Sequence, residues 1–237
     1  MTEIARLEGA SKIYKSGDSE VVALNPTTCR VNKGQLTLVI GPSGSGKTTF
    51  LSLLGCVIYP TQGKVWVNGT YTGGLSDTQM AKLRLNNIGF VFQSFNLIAP
   101  LTVEENVMLP LTLQGRNTKE SRIAAGKSLE MLGMHHRLSS LPKMLSGGEQ
   151  QRVAIARALV SDPPMILCDE PTASLDVASS AIVMKKLRAL SKMDKAIIVV
   201  THDQRLLPFA DRIIEVTNST AAERTEHEYI KDLESRI

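Results

Sequence analysis

The stretch QLTLVIGPSGSGKTTFLSLLG, residues 35–55, runs from an apolar segment through a glycine-rich turn into a helical pattern. Leu36 to Ile40 has the uninterrupted apolar character of a strand buried on both faces. Gly41, Gly44 and Gly46 permit a tight backbone path that points successive N–H groups at phosphate oxygens, with Ser43, Ser45 and Thr49 in the same loop and first turn. Lys47 is placed to reach the β- and γ-phosphates, and Thr48 offers a hydroxyl to Mg²⁺. A GxxxxGK[ST] pattern is meaningful when a strand precedes it and a helix follows, and both are present.

Downstream, PMILCDEPTASLD, residues 164–176, reads as a second buried strand, Met165 to Cys168, ending in two carboxylates. In an open α/β sheet, that carboxyl edge is where ligands bind. Adjacent acids there imply separate tasks: Asp169 holds Mg²⁺ through water, and Glu170 polarises the attacking water as general base.

Between these segments lies LSGGEQQRVAIARAL, residues 145–159. Ser146 followed by Glu149 is a capping-box pattern, and Gly147 with Gly148 lets the backbone approach a ligand at the helix start. Free N–H groups and the positive end of the helix dipole favour an anion there. The fifteen residues resemble the signature motif of ATP-binding-cassette (ABC) ATPases almost letter for letter. That resemblance extends from about Ile4 to Ile214, with every nucleotide motif in order.

The resemblance implies further roles. Gln93, after the apolar run IGFVF, matches the glutamine loop that contacts Mg²⁺ and water and couples to a partner. His202, after AIIVV, matches the switch histidine on the γ-phosphate, and Ser174 to Asp176 match the segment following the acidic pair. Tyr14 in KIYK fits the aromatic that stacks on adenine, with a strand-packing tyrosine as the competing reading. Ser146, Gly147 and Gly148 of one copy are expected to close over Lys47, Asp169 and Glu170 of another, giving a head-to-tail homodimer. The cofactors implied are ATP and Mg²⁺, with no other metal. SGDSEVVAL, LSDTQMAKLRLNNIGFVFQ and LTVEENVMLPL look like the branch serving lipoprotein release and macrolide-type efflux. GCVIYPTQG departs from the usual turn of that branch, and the Asp-Gly hairpin expected after Asp211–Ile214 is replaced by a polar sequence.

Composition bounds these readings. The 237 residues, 43% apolar and 21% charged, suffice for one α/β domain with a subdomain. The expected fold is an ABC-type P-loop ATPase: a mixed core sheet from residues 1–93 and 161–216, a β-rich N-terminal part, and a helical subdomain over about 94–160. Helical patterns lie at 102–108, 118–133 and 147–160, and Ser76 or Asp77 starts another. Residues 217–237 are expected as a tail, either a short amphipathic helix over 221–236 or disordered.

No apolar run reaches the ~18 residues that span a bilayer, and MTEIARLEGASK carries neither a signal core nor a lipidation pattern. The net charge of +4 is mild and its basic residues are scattered, which argues against nucleic-acid binding. Cys29, Cys56 and Cys168 have no metal spacing and are expected as packed thiols. His135 and His136 are adjacent without accompanying acids, as at a solvated helix end.

A cycle of closure and opening needs a load, and none is encoded here. The expected load is an integral membrane permease-type subunit, with the chain peripheral on the cytoplasmic side of the membrane. Phe95, Leu97, Ile98, Leu101 and Val103 are the candidate docking cluster, some of them core. A soluble ABC ATPase acting on nucleic acid or ribosomes fits less well, because no sustained heptads separate Thr48 from Ser146 and only one cassette is present. A cell-division type signalling ATPase is the nearer alternative.

Overall fold

The computed structural model describes residues 2–17, 19–225 and 228–229. In chain order the strands are β1 (Glu3–Ser16), β2 (Ser19–Asn32), β3 (Leu36–Ile40), β4 (Gln62–Val67), β5 (Thr70–Tyr71), β6 (Ile88–Val91), β7 (Met165–Asp169), β8 (Ala196–Thr201), β9 (Arg212–Thr217) and β10 (Thr220–Arg224). The helices are α1 (Lys47–Leu54), α2 (Asp77–Asn87), α3 (Val103–Leu113), α4 (Thr118–Met131), α5 (Gly147–Leu159) and α6 (Val177–Ser191). One sheet runs β2-β1-β4-β5, and the other runs β10-β9-β3-β8-β7-β6. In the second, β3, β6, β7, β8 and β9 are parallel and only β10 is antiparallel, so the core sheet is mixed as expected.

The pleat explains why its strands read as apolar without alternation. Leu36, Leu38, Ile40, Ile166, Cys168, Ile197 and Val199 face a core shared with α3, α4, α5 and α6. The intervening Val39, Met165, Leu167, Ile198 and Val200 face a second core with α1 and the N-terminal sheet. Successive side chains point to opposite faces, and here both faces are covered. Helices α3, α4 and α5 pack on one another between β6 and β7 in sequence.

Three helices begin on a capping box that the sequence specifies. Ser76 and Gln79 form a reciprocal box at α2, as do Thr102 and Glu105 at α3 and Ser146 and Glu149 at α5. Helix α3 continues through Pro110 to Leu113, five residues beyond the periodic pattern. The three cysteines are buried and free. His135 and His136 lie exposed on a short 3₁₀ turn, and no metal-holding cluster of His, Cys, Asp or Glu occurs among the described residues.

Two regions differ from expectation. The N-terminal segments are a single pair of 14-residue strands, in which VVAL and TTCRV are continuous. Pro26 is tolerated because β2 is an edge strand, where a missing N–H leaves no ladder partner unsatisfied. Register shifts between Leu7 and Ala10 and between Ala10 and Lys12 let the long ribbon bend. The second difference lies past residue 217: Thr220–Arg224 is a strand paired antiparallel to β9, where a helix or disorder was the expectation. Tyr229 returns to the first core, and the rest of the expected tail helix lies outside the described residues.

Strand β6 meets helix α5 at Gly89, where an added Cβ would sit 2.2 Å from the Ala158 carbonyl oxygen. Gly89→Ala must therefore part strand from helix, and we expect a loss of about 1–3 kcal/mol from overpacking. A lower urea midpoint at unchanged m-value is the expected outcome; an unchanged midpoint would show that the contact yields freely.

Candidate nucleotide site

The carboxyl ends of β3, β7 and β8 meet at a cavity of about 560 Å³. Ten residues singled out from the sequence line it: Ser43, Gly44, Gly46, Lys47, Thr48, Thr49, Gln93, Asp169, Glu170 and His202. The loop from Gly41 to Gly46 enters α1 through Gly46 at φ 105°, with no side-chain cap on the helix. The first-turn N–H groups of α1 therefore remain available to an anion. Gly41 and Gly46 are required by packing as well as by φ. A Cβ on Gly41 would lie 2.0 Å from the Val216 carbonyl oxygen, and one on Gly46 would lie 2.4 Å from that of Ala23.

Lys47 Nζ donates to the carbonyls of Gly41 (3.0 Å) and Pro42 (2.7 Å), inside the loop it belongs to. Desolvation holds its pKa below the ordinary lysine value, against the opposing pull of Glu170 and Asp169. Ser45 is buried with its Oγ unpartnered. Thr48 Oγ1 donates to Asp169 Oδ2 at 3.3 Å, which sets two hard oxygens side by side and suits a Mg²⁺ ion. Burial raises the Asp169 pKa, Glu170 adds to it, and Thr48 and Lys47 oppose.

Glu170 is the most constrained group present. Its φ is 50°, in the left-handed region, and its N–H donates to the Val200 carbonyl at 2.9 Å. Thr201 Oγ1 donates to its Oε2 at 3.2 Å, and His202 Nδ1 lies 2.6 Å from its Oε1. Strain of this kind persists only where surrounding bonds hold it, and it gathers at functional sites. Gln93 lies two residues past β6 and reaches the cavity from its exposed loop.

Other sequence candidates stand apart. Ser146 and Gly147 are exposed and Gly148 half-buried, and none of them lines the cavity. An added Cβ on Gly147 would meet Ser174 at 3.7 Å, and one on Gly148 would meet Leu175 at 3.1 Å. Asp176 caps α6, accepting from Ser179 N at 2.8 Å and Ser179 Oγ at 2.7 Å. Tyr14 is 44% exposed on β1, opposite Val21, with the Lys12 ammonium 5.1 Å from its ring. Val21, Val22, Ala23, Val200 and Ser219 also line the cavity, and none of them is assigned to the site from the sequence.

Residues 24–173 match the ABC transporter family, and the chain belongs to it. It is an ATP-hydrolysing cassette of that family. Over 94% of its length and 98% of the other chain, it superposes with a TM-score of 0.89 and 39% identity on a dimeric post-hydrolysis state of the ATP-binding cassette MJ0796 bound to ADP and Pi. It is 40% identical to a lipoprotein-releasing system ATP-binding protein, LolD, from Granulibacter bethesdensis, over 89% of this chain and 93% of that one. It is also 40% identical to a macrolide export ATP-binding/permease protein, MacB, from Agrobacterium fabrum, covering 92% of this chain and 34% of that longer one. Those two relatives are named for lipoprotein release and for macrolide export.

Partial burial of Asp169 opposes folding at neutral pH. A raised carboxyl pKa means that the native state binds its proton more tightly, so its favourable contribution is present at low pH and is lost as pH rises through the folded value. Asp169→Asn should therefore melt higher than wild type at pH 7 in nucleotide-free buffer. The gap should narrow as pH falls through the carboxylate range. A variant melting lower at pH 7 would contradict this electrostatic reading.

Proposed function

We propose that the cavity binds ATP with its triphosphate on the Gly41–Thr49 segment and its base against Tyr14 and Val21. The observation carrying this reading is the separation of two phosphate-binding ends. Ten loop and strand-end residues converge on one cavity, while Ser146–Gly148 stay on the surface outside it. Lys47 exchanges two neutral carbonyl acceptors for phosphate oxygens, which makes charge-assisted bonds. Thr48, Asp169 and Gln93 hold Mg²⁺, which neutralises phosphate charge when bound.

Glu170 takes a proton from the water that attacks the γ-phosphorus, as the bond to the ADP oxygen breaks. Thr201 and His202 fix its two oxygens, so the base is oriented before substrate arrives. His202 is also near enough to the cavity to bond the γ-phosphate. Glu170→Gln keeps the shape and removes the basic oxygen. It should bind ATP as wild type does and lose about 10²-fold or more in turnover. Lys47→Ala should instead weaken ATP binding about 10- to 100-fold. Near wild-type hydrolysis by Glu170→Gln would show that another group is the base.

The signature residues are completed by a second copy. Ser146 caps α5, its partner Glu149 is tied to Arg137 at 3.0 Å, and the first turn, entered through the exposed Gly147, leaves N–H donors for an anion. Two chains facing head to tail supply each nucleotide with both ends, and Asp176 is assigned to the same closing face. The proposed assembly is a homodimer on the cytoplasmic side of a membrane, docked on an integral permease-type subunit that moves the substrate. Among the described residues no helix is long and apolar enough to cross a membrane.

We assign docking to a groove beside the cluster expected after Gln93, rather than to that cluster itself. Leu97 packs against the first core, whereas an open apolar groove of about 910 Å³ lies beside the loop, with Leu85, Phe90, Phe92, Leu109 and Leu113 among its walls. Phe90 and Phe92 stack at 5.1 Å, and Leu113 is 65% exposed. Arg157 of α5 lines the same groove and donates to the carbonyls of Asn96 (2.6 Å) and Phe95 (2.7 Å). Arg157 thus ties the signature helix to the segment that follows Gln93 at the edge of the groove. Leu113→Asp should abolish co-purification with the membrane subunit while leaving ATP affinity intact, because an unpaired carboxylate in that contact is costly. Undiminished co-purification would put the docking surface elsewhere.

A further inference from the structure

The hairpin joining β9 to β10 turns through Asn218 and Ser219, at φ 48° and 60°. A two-residue turn with both centres at positive φ favours glycine at the second position. Serine stands there, and backbone held in this region points to a function for the side chain. All three polar groups of Ser219 are engaged. Its Oγ donates to the Val22 carbonyl at 2.8 Å, its carbonyl accepts from Asn25 N at 2.7 Å, and its N–H donates to the Ser45 carbonyl at 3.1 Å.

Those partners belong to two different sheets. Val22 and Asn25 lie on β2, the edge of the four-stranded sheet, and Ser45 lies in the phosphate loop behind β3 of the six-stranded sheet. At the cavity mouth β2 presents Val21 and Val22, 56% and 44% exposed, with Tyr14 across from Val21. An apolar platform for a base and a polar loop for phosphates are therefore carried by separate sheets. Ser219 bonds to both and lines the cavity between them. Asn25 reinforces the joint, its Nδ2 donating to the Asn218 carbonyl at 3.3 Å and to Thr220 Oγ1 at 3.0 Å.

We propose that Ser219 is a positioning residue that sets the distance between base platform and phosphate loop, so that nucleotide affinity depends on its hydroxyl. The inference rests on the ATP reading of the cavity. It assigns the β9–β10 hairpin, which lies past the residues matched to the family, to the nucleotide site.

Ser219→Gly tests it, because glycine relieves the backbone, keeps the bonds of N–H and carbonyl, and deletes only the hydroxyl. Calorimetry on the full chain would compare Mg-ATP with Mg-tripolyphosphate, which has phosphates and no base. We expect the Kd for ATP to rise about fivefold, the worth of one hydrogen bond, with that for tripolyphosphate within about twofold and the melting temperature no lower than wild type. Unchanged ATP affinity, or equal weakening of both ligands, would overturn the proposal. Lys47→Ala separates this from the parent reading, since it should weaken both ligands. ATP binding that survives Lys47→Ala would remove the cavity assignment itself and the role of Ser219 with it.

Discussion

The phosphate loop is clamped by backbone on both flanks, and the rest of the site depends on that clamp. At Gly41 it leans on Val216 of β9, and at Gly46 on Ala23 of β2, each so closely that a methyl group would collide with a carbonyl oxygen. A loop held this way presents its N–H groups without reorganising when an anion arrives, and preorganised donors are the larger part of electrostatic catalysis. It also explains why two sheets of different character share one chain. The six-stranded sheet supplies parallel strand ends carrying Asp169, Glu170 and His202, while the bent ribbon of β1 and β2 supplies an apolar wall at the mouth.

The site is costly to the fold. Lys47 is partly desolvated, Asp169 is half-buried beside a second carboxylate, and Glu170 sits in a left-handed backbone conformation. Each feature opposes folding and becomes favourable once a polyanion and a divalent cation share the cavity. Stability is thus exchanged for readiness, the usual compromise at an active site. The same economy extends to the signature helix. Its cap satisfies one donor internally through Ser146 and Glu149 and leaves Gly147 at the helix start exposed.

Much of this was legible in the sequence, for physical reasons that differ by element. Strands β3, β7 and β8 are buried on both faces, so their composition alone reveals them, and the capping boxes at Ser76, Thr102 and Ser146 are written in short spacings. Strand β10 was hidden because Thr220–Arg224 is an edge strand with mostly exposed residues and carries no apolar alternation. The continuity of β2 was hidden by Pro26, which only an edge position accommodates. Ser219 carries no motif, since its role comes from bonds to residues some two hundred positions away in sequence. The apolar groove was hidden for a related reason. Its walls come from α2, β6, α3 and α5, and only the fold brings them together.

Whether one nucleotide is gripped by two chains is the point on which the mechanism turns. Light scattering of the Glu170→Gln protein in saturating Mg-ATP, with and without Ser146→Arg, addresses it most directly. A site shared between chains predicts twice the 25.8 kDa chain mass for Glu170→Gln, and a return to single-chain mass when Ser146→Arg is added, with ATP still bound. A Glu170→Gln protein that holds ATP yet scatters as a single chain, or a dimer indifferent to Ser146→Arg, would contradict it.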